Sequence, residues 1–292
     1  MKRDGVDNDT GFPYASGNAN EGDRRGLAVK PDSDADNIIR IARSFVDARR
    51  AGHALPDYPG DMPAALDDAY AVQDAAIEFA DAEVAGWKVG RINPPIDGTE
   101  RLTGPIFADQ VVLADGSPIA MPVFADGFAA AESEFLLRIG VTPDPAKANY
   151  TIDEARALID AVHIGIEIAS SPFPGINENG PGVTISDFGN NNGLVVGNGI
   201  ANWRDVDFDS WPVYLAINGG RVGAATTATM LDGPFGAARF LFELMAARGI
   251  ALKPGQWIST GAVTGVHHVA VGDHVEATFD GRITIDCTIE AR

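Results

Sequence analysis

A single cysteine, Cys287, in a chain of 292 residues excludes an intramolecular disulfide framework. Positive charge is also scarce, with 22 Lys and Arg against 41 Asp and Glu and a formal net charge of -19. That balance speaks against a phosphate-backbone partner, which needs clustered cations, and an anionic surface repels anionic membranes. No apolar stretch approaches the roughly 20 residues that span a bilayer, and the N-terminus lacks an apolar signal segment, so a cytoplasmic protein is expected. The sequence contains no Gly-x-Ser-x-Gly elbow, no Walker-type phosphate loop and no dinucleotide fingerprint. Nucleophilic and nucleotide chemistry are therefore weakly supported, and Cys287, in the alternating tail strand 282–289, is expected to serve packing.

What the chain does have is carboxylate where apolar side chains are expected. Glu132 and Glu134 lie inside the apolar run from Phe128 to Ile139, and Glu167 lies inside the run from His163 to Ala169. Residues at i and i+2 of a strand share a face, so the first two carboxylates project together. An E-x-E pattern is often a solvated face. Here, however, the opposite face carries Ser133 and Phe135 and is no more apolar, while Ile166 and Ile168 flank Glu167 and Gly165 precedes it. That pattern leaves the face of Glu167 sterically open and not salt-bridged. Burying unpaired carboxylates is costly, and a hard divalent cation such as Mg2+ or Mn2+ among them offsets the repulsion. Glu132, Glu134 and Glu167 are thus candidate metal ligands.

The remaining pattern predicts an α+β protein. Residues 1–34, rich in Asp, Asn, Gly and Arg, carry no apolar period and are expected to be a mobile extension, with a single catalytic domain over residues 35–292. Within it, residues 35–85 form a helical subsegment and residues 86–292 a β-rich core. Helical spacing covers Asn37–Arg50 and about Ala64–Glu83, followed by short strands such as Gly86–Gly90 and Gln110–Leu113. Thr151 and Glu154 form a capping box for a helix reaching Val162, and Phe235–Arg248 is an amphipathic helix stopped by Gly249. The Gly/Pro/Asn loop 174–182 reads equally as a lid or as surface decoration.

Several other side chains are candidates for chemistry. Lys88, between Trp87 and Val89, is either a snorkelling surface lysine or a fixed cation for a carboxylate or developing enolate. Asp109 is a general base, a supporting group or a turn cap. Asn190 and Asn191, in the run 190–192, either form a turn or bind substrate oxygens, and Thr260 could present a hydroxyl to an anionic ligand. His267 and His268 lack metal-ligand spacing and read as structural.

The ordered set Ala69-Tyr-Ala-Val-Gln-Asp74, Gly86-Trp-Lys-Val-Gly90, Glu132-x-Glu134, Gly165-Ile-Glu167, Ser186-Asp-Phe-Gly-Asn-Asn-Asn-Gly-Leu-Val-Val-Gly197 and Ser259-Thr-Gly261 resembles the 2-keto-4-pentenoate hydratase and 4-oxalocrotonate decarboxylase family. That family is part of the fumarylacetoacetate hydrolase-like superfamily, and the resemblance spans most of residues 37–292. It implies a twisted, partly rolled β core with flanking helices, Mg2+ or Mn2+ on the three glutamates, Lys88 facing substrate, and a homo-oligomer. It implies a small 2-keto or 2-hydroxy-dienoic acid substrate from aromatic meta-cleavage catabolism. The first expectation is hydration of 2-hydroxypenta-2,4-dienoate to 4-hydroxy-2-oxopentanoate. Alternatives are decarboxylation of 2-oxohex-3-enedioate, acylpyruvate C–C hydrolysis, and a non-catalytic ligand-binding homologue. Hydrolysis ranks behind because His53 is the only histidine before residue 163. The chain departs from the family at Asn190-Asn191-Asn192 and at Asp232-Gly233-Pro234.

Overall fold

A computed structural model describes residues 34–292, so the expected N-terminal extension lies, but for Asp34, outside the described residues. The first helix, α1 (Asp34–Ala51), has acids in its first turn and Arg49 and Arg50 in its last, both suited to the helix dipole. Its buried stripe of Ile41, Ala42, Phe45 and Val46 packs with Val72 and Ala76 of α2 (Leu66–Ala80). The helix α2 stops short of the expected Glu83 because Asp81 takes a left-handed φ of 49° and Val84 already belongs to the first strand.

The strands are β1 (Val84–Ile96), β2 (Thr99–Phe107), β3 (Val111–Leu113), β4 (Ala120–Val123) and β5 (Phe128–Ile139). The short helix α3 (Ile152–Ala157) follows, then β6 (Ile159–Ser171), α4 (Pro181–Ser186), β7 (Asn191–Gly199), β8 (Val213–Ile217) and β9 (Gly220–Ala225). The chain ends with α5 (Gly233–Ala247), β10 (Trp257–Ser259), β11 (His267–His268), β12 (His274–Phe279) and β13 (Ile283–Ala291). The expected capping box forms, with Thr151 Oγ1 accepting from Glu154 N and Glu154 from Thr151 N. The helix nevertheless ends at Ala157, well before the expected Val162, because Ile159, Ala161 and Val162 pair with Ile139, Arg138 and Leu137 in the sheet. Cross-strand bonds and burial outweigh the helical start there.

One mixed sheet runs in the order β2-β1-β10-β5-β6-β7-β3, with β11 on the far part of β5, and a second runs β4-β13-β12-β8-β9. A common core of Phe135, Ile164, Val213, Leu215, Val275 and Phe279 joins the two sheets, and Leu241, Phe242 and Met245 of α5 close it. Cys287 is buried in that core on β13, where burial pushes its thiol up to about 12. The mixed α+β architecture is the one expected from the sequence. The helix pair α1/α2 shares an apolar cluster with Phe107 of β2, Phe128 and Ala130 of β5 and Ala169 of β6, and the α4 segment lies against α2 and β2. None of the described helices is long and apolar enough to cross a membrane.

Candidate metal centre

Strand register, not chain proximity, assembles the site. Glu132 on β5 stands directly opposite Glu167 on β6, and Glu134, two residues along β5, faces Gly165. On the other side of β5, Ser259 of β10 pairs with Leu136, and Lys88 of β1 pairs with Ser259. Cross-strand partners and alternate residues share a face, so the lysine, the serine and three carboxylates converge on one side of adjacent strands.

All five side chains are buried, with Glu134, Glu167 and Ser259 at 0% exposure. One oxygen from each glutamate lies within 4.8 Å of the others. Lys88 Nζ is 3.3 Å from Glu167 Oε1, and it donates to Asn190 Oδ1 at 3.3 Å. Ser259 Oγ donates to Glu134 Oε2 and lies 3.2 Å from Glu167 Oε2. Asn191 Nδ2 donates to Glu167 Oε1 at 2.9 Å. Two expectations about Glu167 are corrected. Glu167 is ion-paired, and the space left by Gly165 is filled by Leu136, whose Cδ1 lies 2.3 Å from where a Cβ would stand.

Burial, reinforced by Glu167 and Glu132, pushes the Glu134 carboxyl well above the usual carboxylate range, against Ser259 and Lys88. Burial likewise raises Glu132 to about 7, with Lys88 opposing and Glu167 reinforcing. Burial works against the charge of Lys88, but the three carboxylates outweigh it and hold the ammonium above its ordinary value. Two buried acceptors here, Glu134 Oε1 and Asn191 Oδ1, have no donor. Unsatisfied hard oxygens beside three crowded carboxylates fit a divalent cation such as Mg2+ or Mn2+.

The centre opens onto a cavity of about 1030 Å³ whose walls include Lys88, Glu132, Asn190 and Thr260. Of the sequence candidates, Asn190 and Thr260 reach this wall, although the Thr260 hydroxyl is used on Phe135 O at 2.7 Å. Asn191 supports Glu167 from the side. Asp109 is not brought to the site: it is exposed in the 3-10 turn Ala108–Gln110. Three contributors escaped the sequence reading. Ser259 is not distinguished from Thr260 in the sequence, because a three-residue strand shows no alternation. Asn177, in the loop 174–182, accepts from Asn190 Nδ2 at 3.0 Å. His268 lines the cavity edge-on to Phe128, with ring centroids 5.2 Å apart.

Glycine is needed where β2 meets the turn before β7. A Cβ on Gly104 would stand 2.0 Å from Phe188 O. Gly104→Ala is therefore expected to cost roughly 1–3 kcal/mol by overpacking. A urea titration checks this, and an unshifted midpoint would mean the turn yields freely.

Comparison with known proteins bears on the fold. No family model matches the chain. A curated 4-oxalocrotonate decarboxylase from a Pseudomonas strain is 25% identical over 265 residues, covering 88% of this chain and 97% of the relative. A second from Pseudomonas is 26% identical over 235 residues, covering 78% and 88%. Among solved structures, 4-oxalocrotonate decarboxylase from Pseudomonas putida, complexed with magnesium and adipate, superposes with a TM-score of 0.73 at 21% identity, covering 87% of this chain and 98% of that one. Fumarylpyruvate hydrolase from Pseudomonas aeruginosa, with Mn2+ and pyruvate, gives 0.53 at 15% identity, covering 70% and 89%. The chain shares the fold of these structures, and its buried carboxylate cluster is one that a divalent cation fits. Over most of its length the chain is similar to 4-oxalocrotonate decarboxylases, in line with the resemblance that its sequence motifs carry.

Proposed function

We propose that the protein is a lyase of aromatic catabolism that decarboxylates 2-oxohex-3-enedioate to 2-hydroxypenta-2,4-dienoate. The observation that carries a lyase is the buried cluster of Glu132, Glu134, Glu167 and Lys88 at the wall of one cavity. The choice of decarboxylation reverses the order expected from the sequence, where hydration came first. It is supported by the name shared by the curated relatives.

Glu132, Glu134 and Glu167 would hold Mg2+ or Mn2+, which when bound supplies Lewis acidity at the 2-oxo group. Lys88 Nζ keeps its proton at neutral pH, since the glutamates hold its pKa up, and so supplies fixed positive charge. That charge faces the oxygen on which electrons collect as the C5–C6 bond breaks and carbon dioxide leaves. Asn190, tied to Asn177, fixes the direction of the ammonium. Apolar wall residues Phe128, Ile92, Leu102 and Val263 favour loss of charge from the departing carboxylate. Solvent provides the proton that completes the product. This reaction needs no base to activate water, and His268 is the one imidazole on the cavity wall.

The test is product analysis on 2-oxohex-3-enedioate and, separately, on 2-hydroxypenta-2,4-dienoate, with Mg2+, Mn2+ or chelator. Metal-dependent carbon dioxide release from the first is expected. Formation of 4-hydroxy-2-oxopentanoate from the second, without carbon dioxide from the first, would make the enzyme a hydratase.

A further inference from the structure

Three consecutive residues ahead of β7 have left-handed backbone: Phe188 at φ 56°, Gly189 at 63° and Asn190 at 57°. For the two residues with a Cβ this conformation is sterically unfavourable. Strain of this kind persists only where surrounding structure imposes it. The turn leads directly into the metal centre. Asn190 receives Lys88, and the next residue, Asn191, orients Glu167.

Both flanks of the turn are held by one side chain from α1. Arg49, 5% exposed, donates from Nε to Asp187 Oδ1 at 2.5 Å and from Nη2 to Asp187 Oδ2 at 2.9 Å. The same Nη2 donates to Ser170 O at 3.1 Å, and Nη1 donates to Asn192 Oδ1 at 3.2 Å. Asp187 immediately precedes the left-handed residues, and Asn192 follows Asn191. Phe188, the first residue of the turn, closes over the guanidinium at 5.3 Å from ring centroid to Cζ. Arg49 is not on the cavity wall and touches none of the three glutamates.

We infer that Arg49 is a positioning residue for the metal centre: its planar fork spans the strained turn and sets where Asn190 and Asn191 meet Lys88 and Glu167. The inference rests on the metal reading above and adds to it a control point on a helix remote in sequence. A lysine cannot reproduce it, because a point ammonium does not bridge both Asp187 oxygens and Asn192 together. Groups that orient metal ligands in this way typically change affinity 10–100-fold when removed.

The experiment is a double-mutant cycle read on Mn2+ affinity, with free ion counted by electron paramagnetic resonance and folding checked by circular dichroism. Wild type, Arg49→Met, Asn191→Ala and the double variant are compared. Arg49→Met is expected to weaken Mn2+ binding by roughly 10–100-fold. If Arg49 acts through the asparagine turn, the double variant binds about as weakly as the weaker single variant, since residues in one network are non-additive. Wild-type affinity in a folded Arg49→Met protein of lowered stability would reduce Arg49 to a packing role, and losses that multiply would also overturn the inference. Should Arg49→Met fail to fold, Arg49→Lys carries the same comparison, and wild-type affinity there overturns it equally. No Mn2+ binding by wild type would instead refute the metal reading itself.

Discussion

Glu134→Gln should abolish nearly all metal-dependent turnover and yet raise the melting temperature of the metal-free protein at alkaline pH, where the wild-type carboxyl is forced to ionise. Both effects follow from the same burial. Glu134 is fully buried beside Glu132 and Glu167, with Oε1 unpartnered, so without a cation its charge is a liability. Glutamine keeps the shape and removes that charge. Its loss as a ligand, at several kcal/mol of electrostatic stabilisation, corresponds to roughly a 10³-fold or greater drop in turnover.

The pH dependence gives an independent check on the sign. A carboxyl whose folded pKa is raised stabilises the fold at low pH, and the contribution is lost as pH rises through the folded value. For Glu132, raised from 4.5 to about 7, metal-free stability should fall from about pH 4.5 through 7, and Glu134 extends the fall upward. The Glu132 contribution alone is on the order of 3 kcal/mol. Glu134→Gln should flatten the upper part of that decline. Metal binding requires deprotonated ligands, so Mg2+ should stabilise wild type increasingly over the same window, and Glu134→Gln far less. Thermal melts from pH 4 to 9, with Mg2+ or chelator, measure all of this. Wild-type turnover in excess chelator, or a Glu134→Gln enzyme at full rate, would remove the metal from the mechanism.

The glutamates were legible in the sequence because they break a rule: a carboxylate inside an apolar run contradicts burial unless something compensates it. Lys88, between Trp87 and Val89, breaks the same rule, and the structure resolves its two readings in favour of a buried cation. What stayed hidden are residues that obey ordinary rules locally. Arg49 looks like a helix C-terminal cation, and its partner Asp187 is 138 residues away. Ser259 and Asn177 carry no periodic signal, and their roles exist only once register brings β10 beside β5 and the 174–182 loop beside Asn190. The start of α3 was readable from its capping box, but its end was not. The apolar residues from Leu158 to Val162 suit a helix or a buried strand, and only the pairing with β5 decides between them.

Lys88→Met should separate metal binding from catalysis. The site brings three carboxylates against one ammonium, and a divalent cation makes the sum neutral. Removing the ammonium takes away a cation that repels the metal, so Mn2+ affinity should be unchanged or tighter. Turnover should nonetheless fall roughly 10²–10³-fold, the usual consequence of deleting one preorganised group at a developing oxyanion. On the proposed mechanism Lys88 acts on the oxygen that receives the electron pair and not on the whole substrate, so the loss should fall on kcat more than on KM. Without metal the variant should be less stable than wild type by roughly 3–5 kcal/mol at alkaline pH, where the carboxylates lose their buried counter-ion. Lys88 normally opposes the upward pull on Glu132, so protonation of the glutamates should relieve part of that loss as pH falls. Measured together, kcat on 2-oxohex-3-enedioate therefore falls while Mn2+ affinity holds or rises if Lys88 acts on the reacting oxygen. An unaltered kcat would leave Lys88 as a counter-ion that keeps the empty site folded and nothing more.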